Sequence, residues 1–209
     1  MKFLEVAGSK QRGLNWDAVR DVKMPGVMVH DMRKLPMKGV KNKTYGGVYN
    51  EHFIEHLTKG EGVEFLKEMF RVMKPFGTIR TVWPSMDFVD WLRQEEDLDN
   101  HPWVQHYYHF YIVKHNFAPK GTNLMRMQDQ CAEGIMWQGG EHKHIWRKQE
   151  LIDNMKELGY INVKEKKYQE SGLSSFRGID TPSDVRAFHS AVIEAQRPAE
   201  ITNQMELAL

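Results

Sequence analysis

The segment from Gly60 to Trp83 constrains the fold most. Its first half places apolar residues at Val63, Phe65, Leu66, Met69, Phe70 and Met73, the spacing of a helix with one buried face. Lys74-Pro75-Phe76-Gly77 then supplies a proline the helix cannot continue through and a glycine for a reversal. Thr78 to Trp83 is β-branched and aromatic, which predicts a central strand closed by Pro84. Just upstream, Val48 and Tyr49 in YGGVYNEHFIEHL read as a short strand that breaks at Asn50. Strand, helix and strand in that order form the building unit of a parallel sheet.

The rest of the chain extends the pattern. Lys2 to Val6 reads as a first strand opening into the turn Ala7-Gly8-Ser9. Asn15 to Val19 follows too soon for an intervening helix, so a second strand must come straight out of a loop. Val27 and Val29 begin a third strand that ends on Asp31. Ser85 or Asp87 can cap a helix over MDFVDWLRQEE. The aromatic and His-rich run from Asn100 to Phe117 predicts a helical insertion or lid, and Asn123 to Gly134 another helix. Gly139-Gly140 reads as a joint, and Lys148 to Leu158 as an amphipathic helix stopped by Gly159. Ile161 and Val163 start a strand, and Thr181-Pro182-Ser183-Asp184 starts a helix over Val185 to Gln196. The expected fold is α/β, a mostly parallel central sheet with helices on both faces and an antiparallel strand near the C-terminus.

Composition narrows the function classes. Lys and Arg total 29 against 28 Asp and Glu, which gives no global electrostatic case for nucleic acid or an anionic membrane. The single cysteine, Cys131, excludes an internal disulfide framework and fits a buried thiol in a reducing compartment. MKFLEVAGSK is too short in its apolar run for a signal-peptide core, so a soluble, cytoplasmic protein is expected. A homodimer is compatible with the sequence.

Several segments, in order, resemble class I S-adenosylmethionine-dependent methyltransferases with a Rossmann-like fold. The likeness is to the short bacterial and phage group often found beside surface-polysaccharide genes. KFLEVAGS resembles the first strand and its glycine turn, LNWD the second strand, and HDMRKLP the segment that brackets the adenine. YGGVYNEHFIEHL, FRVMKPFGTIRTVWP and GGEHKHIWRKQELIDNMKELGYINVKEKKYQES resemble later segments, so the likeness runs from about Lys2 to Ser171. It implies a methyltransferase-like domain over 1–175, with the helical, aromatic insertion at about 100–137, and a C-terminal helix and tail over 176–209.

The resemblance implies S-adenosyl-L-methionine as cofactor, bound by Ala7 and Gly8 at the turn, Asp17 at the ribose, Asp31 and Met32 at the adenine, and Asn50 and Glu51 near the methionine part. Ala7 stands where the family usually has a glycine. A carboxylate at a strand end can accept two hydrogen bonds from a ribose diol, although Asp17 and Asp31 also read as ordinary turn acids. His52 is the candidate general base, or else a residue that lines the next helix with Glu51; Glu55 and His56 share its helical face. His142, His144 and Tyr108 are candidate substrate contacts, Tyr108 as part of a lid or of a helix packed on the sheet.

No metal ligand is assigned. His52 and His56 carry Phe53 where the metalloprotease motif has its acid, and His142 with His144 lacks a third ligand in sequence. The expected function is methyl transfer to a small or saccharide-like acceptor. The alternatives are a non-catalytic methyltransferase-like binding or assembly protein, motivated by Ala7, and a metal-dependent hydrolase using the scattered histidines.

Overall fold

A computed structural model describes residues 1–8, 12–117, 121 and 126–199. Ser9 of the glycine turn, the expected helix start at Asn123 and the tail from residue 200 lie outside the described residues. Among the described residues seven strands form one sheet: β1 Phe3–Val6, β2 Trp16–Arg20, β3 Met28–Val29, β4 Tyr45–Glu51, β5 Met73–Pro84, β6 Ile161–Glu165 and β7 Ser190–Gln196. Their order is β3-β2-β1-β4-β5-β7-β6. Every described pairing is parallel except those of β7, which runs antiparallel to both β5 and β6. The strand order reverses between β1 and β4, which makes the gap beyond their carboxyl ends a topological switch point.

Register alternation sends the residues of each strand to opposite faces. On one face Leu4, Val48, Ile79 and Ile193 meet α1 (Lys59–Val72) and α5 (Lys148–Glu157) through Phe65, Leu66, Met69, Leu151 and Met155. Thr58 begins α1 with a capping box closed by Glu61, which satisfies backbone N–H groups that the first helical turn leaves open. On the other face Phe3, Tyr49, Val82 and Val192 pack under Phe176, carried by the segment between β6 and β7. Arg80 fastens that segment. It is fully buried and donates to Asp180 through Nε at 2.8 Å and through Nη2, to Glu194 at 2.9 Å, and to the Glu170 carbonyl at 2.9 Å.

A second apolar cluster joins α2 (Met86–Gln94), α3 (Pro102–Tyr107), α4 (Met127–Trp137) and the π-helical turn Tyr108–Lys114. Ser85 is the cap of α2, and Cys131 is buried, as its isolation in sequence suggested. Among the described residues no helix is long and apolar enough to cross a membrane.

Two expectations about elements need correction. The expected stop at Lys74 to Gly77 falls inside β5, because α1 already ends at Val72 and Met73 pairs with Tyr45. Pairing resumes only at Gly47 with Thr78, so the proline-glycine stretch forms an irregularity in the strand. The helix expected over Val185 to Gln196 stops early as α6 (Asp184–His189), and Ser190 onward is β7, buried along most of its length. A strand covered on both faces lacks the period-two pattern that would have identified it.

Candidate functional site

A cavity of about 550 Å³ opens at the carboxyl ends of β1 to β4. Ala7 follows β1, Arg20 and Asp21 end β2, His30, Asp31 and Met32 follow β3, and His52, Phe53 and His56 follow β4. Lys143 closes the far side, on a loop tied down where its backbone N–H donates to the Glu55 carbonyl at 2.8 Å. Of the residues singled out in the sequence, Ala7, Asp31, Met32, His52 and His56 line this cavity.

The remaining candidates lie elsewhere, each for a specific reason. Asp17 sits near the amino end of β2, paired with Leu4, where Tyr45 Oη–H donates to it at 2.8 Å and Lys2 Nζ lies 2.7 Å away. The acid beside the cavity is Asp21, because β2 starts rather than ends at Trp16 and Asp17. Gly8 is buried behind the wall; a Cβ there would come within 2.8 Å of the Glu5 carboxylate, so its lack of a side chain serves Glu5. Asn50 lies inside β4, fully buried, and donates to Thr81 Oγ1 at 3.0 Å. Glu51 turns to the opposite face and accepts from Tyr49, Tyr168 and Thr181 hydroxyls. Tyr108 packs against the α2–α4 cluster, and His144 Nε2 lies 3.1 Å from Glu150.

The cavity mixes signs. Arg20, Arg33 and Lys143 line it together with Asp21, Asp31 and Glu141. Arg33 donates to Asp31 from Nε at 2.8 Å and from its backbone N–H at 3.1 Å, which holds that carboxyl below its usual range. Ala7 takes a left-handed backbone, φ 62°, a conformation that strains any residue with a Cβ. His52 also has positive φ, 49°, and places Nε2 at 3.0 Å from Ser190 Oγ and Nδ1 at 3.3 Å from Glu55 Oε1. Burial pulls the His52 ring down to about 3, so it is neutral at neutral pH.

Behind His52, the 3-10 turn Ile54–His56 and the loop carrying His142 come together. Glu55 is fully buried, and neither carboxylate oxygen has a hydrogen-bond partner among the described residues. Desolvation pushes its carboxyl above the ordinary value. The His142 ring packs edge-on against His56 with centroids 4.9 Å apart. Sequence reasoning missed Asp21, His30 and this grouping. Only Asp21 left a signal, since Ala18 and Val19 continue the strand past Asp17.

No family model matches the sequence, and no curated protein matches it. In fold the chain is similar to a SAM-dependent methyltransferase from Archaeoglobus fulgidus, with a TM-score of 0.51 and 15% identity, covering 93% of this chain and 85% of that one. It is also similar to the CurJ carbon methyltransferase, with a TM-score of 0.50 and 10% identity, covering 95% of this chain and 48% of that one. The chain therefore spans about half the length of the second protein. At such identities the likeness shows the fold: a Rossmann-like methyltransferase sheet, mostly parallel with its antiparallel strand near the C-terminus.

Proposed function

We propose that the chain is an S-adenosylmethionine-dependent methyltransferase that binds its cofactor in the crevice between Ala7, Asp21, Asp31 and His52. The observation that carries this is the position of the 550 Å³ cavity, at the switch point between β1 and β4, with carboxylates at the ends of β2 and just after β3. The residues present suit the cofactor. In this reading Asp21 accepts from a ribose diol, and Asp31, kept anionic by Arg33, accepts from an adenine amino group beside Met32; all three residues line the cavity.

When bound, the cofactor supplies a methyl group already activated on a sulfonium, so positioning of the acceptor contributes more than proton removal. That fits His52, whose depressed pKa makes it a weak base, and which we assign to orienting an acceptor hydroxyl. A small or saccharide-like acceptor is the class we favour, on the resemblance to the polysaccharide-associated group. Calorimetric titration with S-adenosylmethionine, and separately with S-adenosylhomocysteine, tests the cofactor site. Binding in the micromolar range supports it and justifies an acceptor screen that starts with sugars and sugar nucleotides.

One observation favours a second reading, a methyltransferase-like binding or assembly protein. The Ala7 methyl occupies the cavity wall on a strained backbone, where it can crowd a ligand. No binding of either nucleoside would give that reading the lead.

A further inference from the structure

The buried Glu55 carboxylate is the group in this fold least explained by its surroundings. It has no solvent exposure and, among the described residues, no hydrogen bond to either oxygen, although His52 Nδ1 stands 3.3 Å from Oε1; a carboxylate so placed normally faces a cation or a donor. A second buried acceptor sits beside it. His142 Nδ1 lies against the Ile135 carbonyl, which only an N–H can satisfy, so that contact fixes the tautomer and leaves a bare lone pair on Nε2. His142 is 8% exposed, and Nε2 has no hydrogen-bond partner among the described residues.

His56 completes the group. One donor atom from each of Glu55, His56 and His142 lies within 4.8 Å of the others. A tetrahedral ion with bonds of about 2.1 Å holds its ligands about 3.4 Å apart, so small side-chain movements would close the set. The two chain segments are already fastened together, because the backbone N–H groups of Lys143 and His144 both donate to the Glu55 carbonyl, at 2.8 and 3.2 Å. The Ile135 carbonyl stands where an outer partner commonly orients a ligating histidine.

We propose that Glu55, His56 and His142 form a binding site for a divalent first-row transition ion of the zinc class. Two imidazoles and one carboxylate are the donor types such ions take, and three protein ligands leave a further position for water or an oxygen of a bound molecule. His56 lines the cavity, so that position faces it. The carboxylate, whose oxygens accept no hydrogen bond among the described residues, then gains a counter-charge. The site stands on its own geometry and does not depend on which nucleoside the cavity takes.

The test is calorimetric titration of chelator-treated protein with Zn²⁺, alongside thermal unfolding with and without the ion. One Zn²⁺ per chain and a raised melting temperature are expected. Glu55→Gln keeps the shape and removes the charge, so it should weaken Zn²⁺ binding by more than about a hundredfold while the metal-free variant melts no lower than the parent. His142→Gln should weaken binding similarly. His109→Ala, on an exposed ring that contacts Gln105, should leave Zn²⁺ affinity unchanged. Absence of stoichiometric binding, or binding that survives both Glu55→Gln and His142→Gln, would overturn the proposal.

Discussion

Asp17 and Asp21 offer a paired test of where the cofactor site lies. They stand four residues apart across β2, about 13 Å at a strand's rise per residue, one near each end of the sheet. Asp21 lines the cavity, so Asp21→Ala removes a charged acceptor from the proposed ribose contact. Hydrogen bonds to a charged group contribute about 1.5–3 kcal/mol, which corresponds to roughly a 10- to 150-fold rise in Kd for S-adenosylhomocysteine. Asp17→Ala should leave that Kd unchanged and lower stability instead. It strands the Tyr45 hydroxyl, at a cost of about 1–3 kcal/mol, and loses a half-exposed pair with Lys2 that contributes under about 1 kcal/mol. For a chain of this size that is a fall of several degrees in Tm, about 2–4 °C for each kcal/mol. Titration calorimetry and thermal unfolding on both variants separate the two effects. If Asp17→Ala weakened nucleoside binding more than Asp21→Ala did, the assignment of the cavity would be refuted.

Three further outcomes are expected. Arg80→Met leaves Asp180 and Glu194 without their counter-charge inside the protein and should destabilise it by about 3–5 kcal/mol in denaturant unfolding; a loss under about 1 kcal/mol would mean the segment between β6 and β7 is held by Phe176 alone. His189 is held down to about 3 by burial while the unfolded ring titrates near 6.5. The unfolded chain therefore binds a proton that the fold excludes, and stability present above pH 6.5 falls by about 1.4 kcal/mol per pH unit from this ring as pH drops toward 3. His189→Gln should flatten that slope, and an unchanged acid limb would show that the ring titrates freely. Ala7→Gly relieves a left-handed backbone at about 1–2 kcal/mol but frees the unfolded chain by about 0.4–1 kcal/mol, so a net gain near 0.5–1 kcal/mol is expected by thermal unfolding. A lower Tm would show that the Ala7 methyl packs usefully.

The parallel core was legible in the sequence because its signals are local. The helix spacing from Val63 to Met73 and the β-branched run after Gly77 appear as α1 and β5. The site was less legible because it depends on where strands end. The residue pattern put β2 over Asn15 to Val19, within a residue of its place, but the resemblance set the acid at Asp17, near the strand's start, and so passed over Asp21 at its far end. Ending β4 at Asn50 set Asn50 and Glu51 beyond a strand that in fact contains both. β7 was hidden by Ser183, a sound cap whose helix really begins, until insertion between β5 and β6 overrides the propensity of Ala191, Glu194 and Gln196. The meeting of His142 with Glu55 and His56 had no sequence signal, since only the fold brings those segments together.

Arg80 and Glu194 lie directly opposite each other across β5 and β7. A slip of one residue would carry Glu194 to the face occupied by Ile79 and Ile193, so the ion pair locks the register of the last strand. That strand is also the one that joins β6 to the rest of the sheet. Until it docks, β5 and β6 each present an open edge, and Arg80 keeps a charge on the more apolar of the two. A chain cut before Ser190 should therefore lose solubility while still retaining most of its helical signal in circular dichroism.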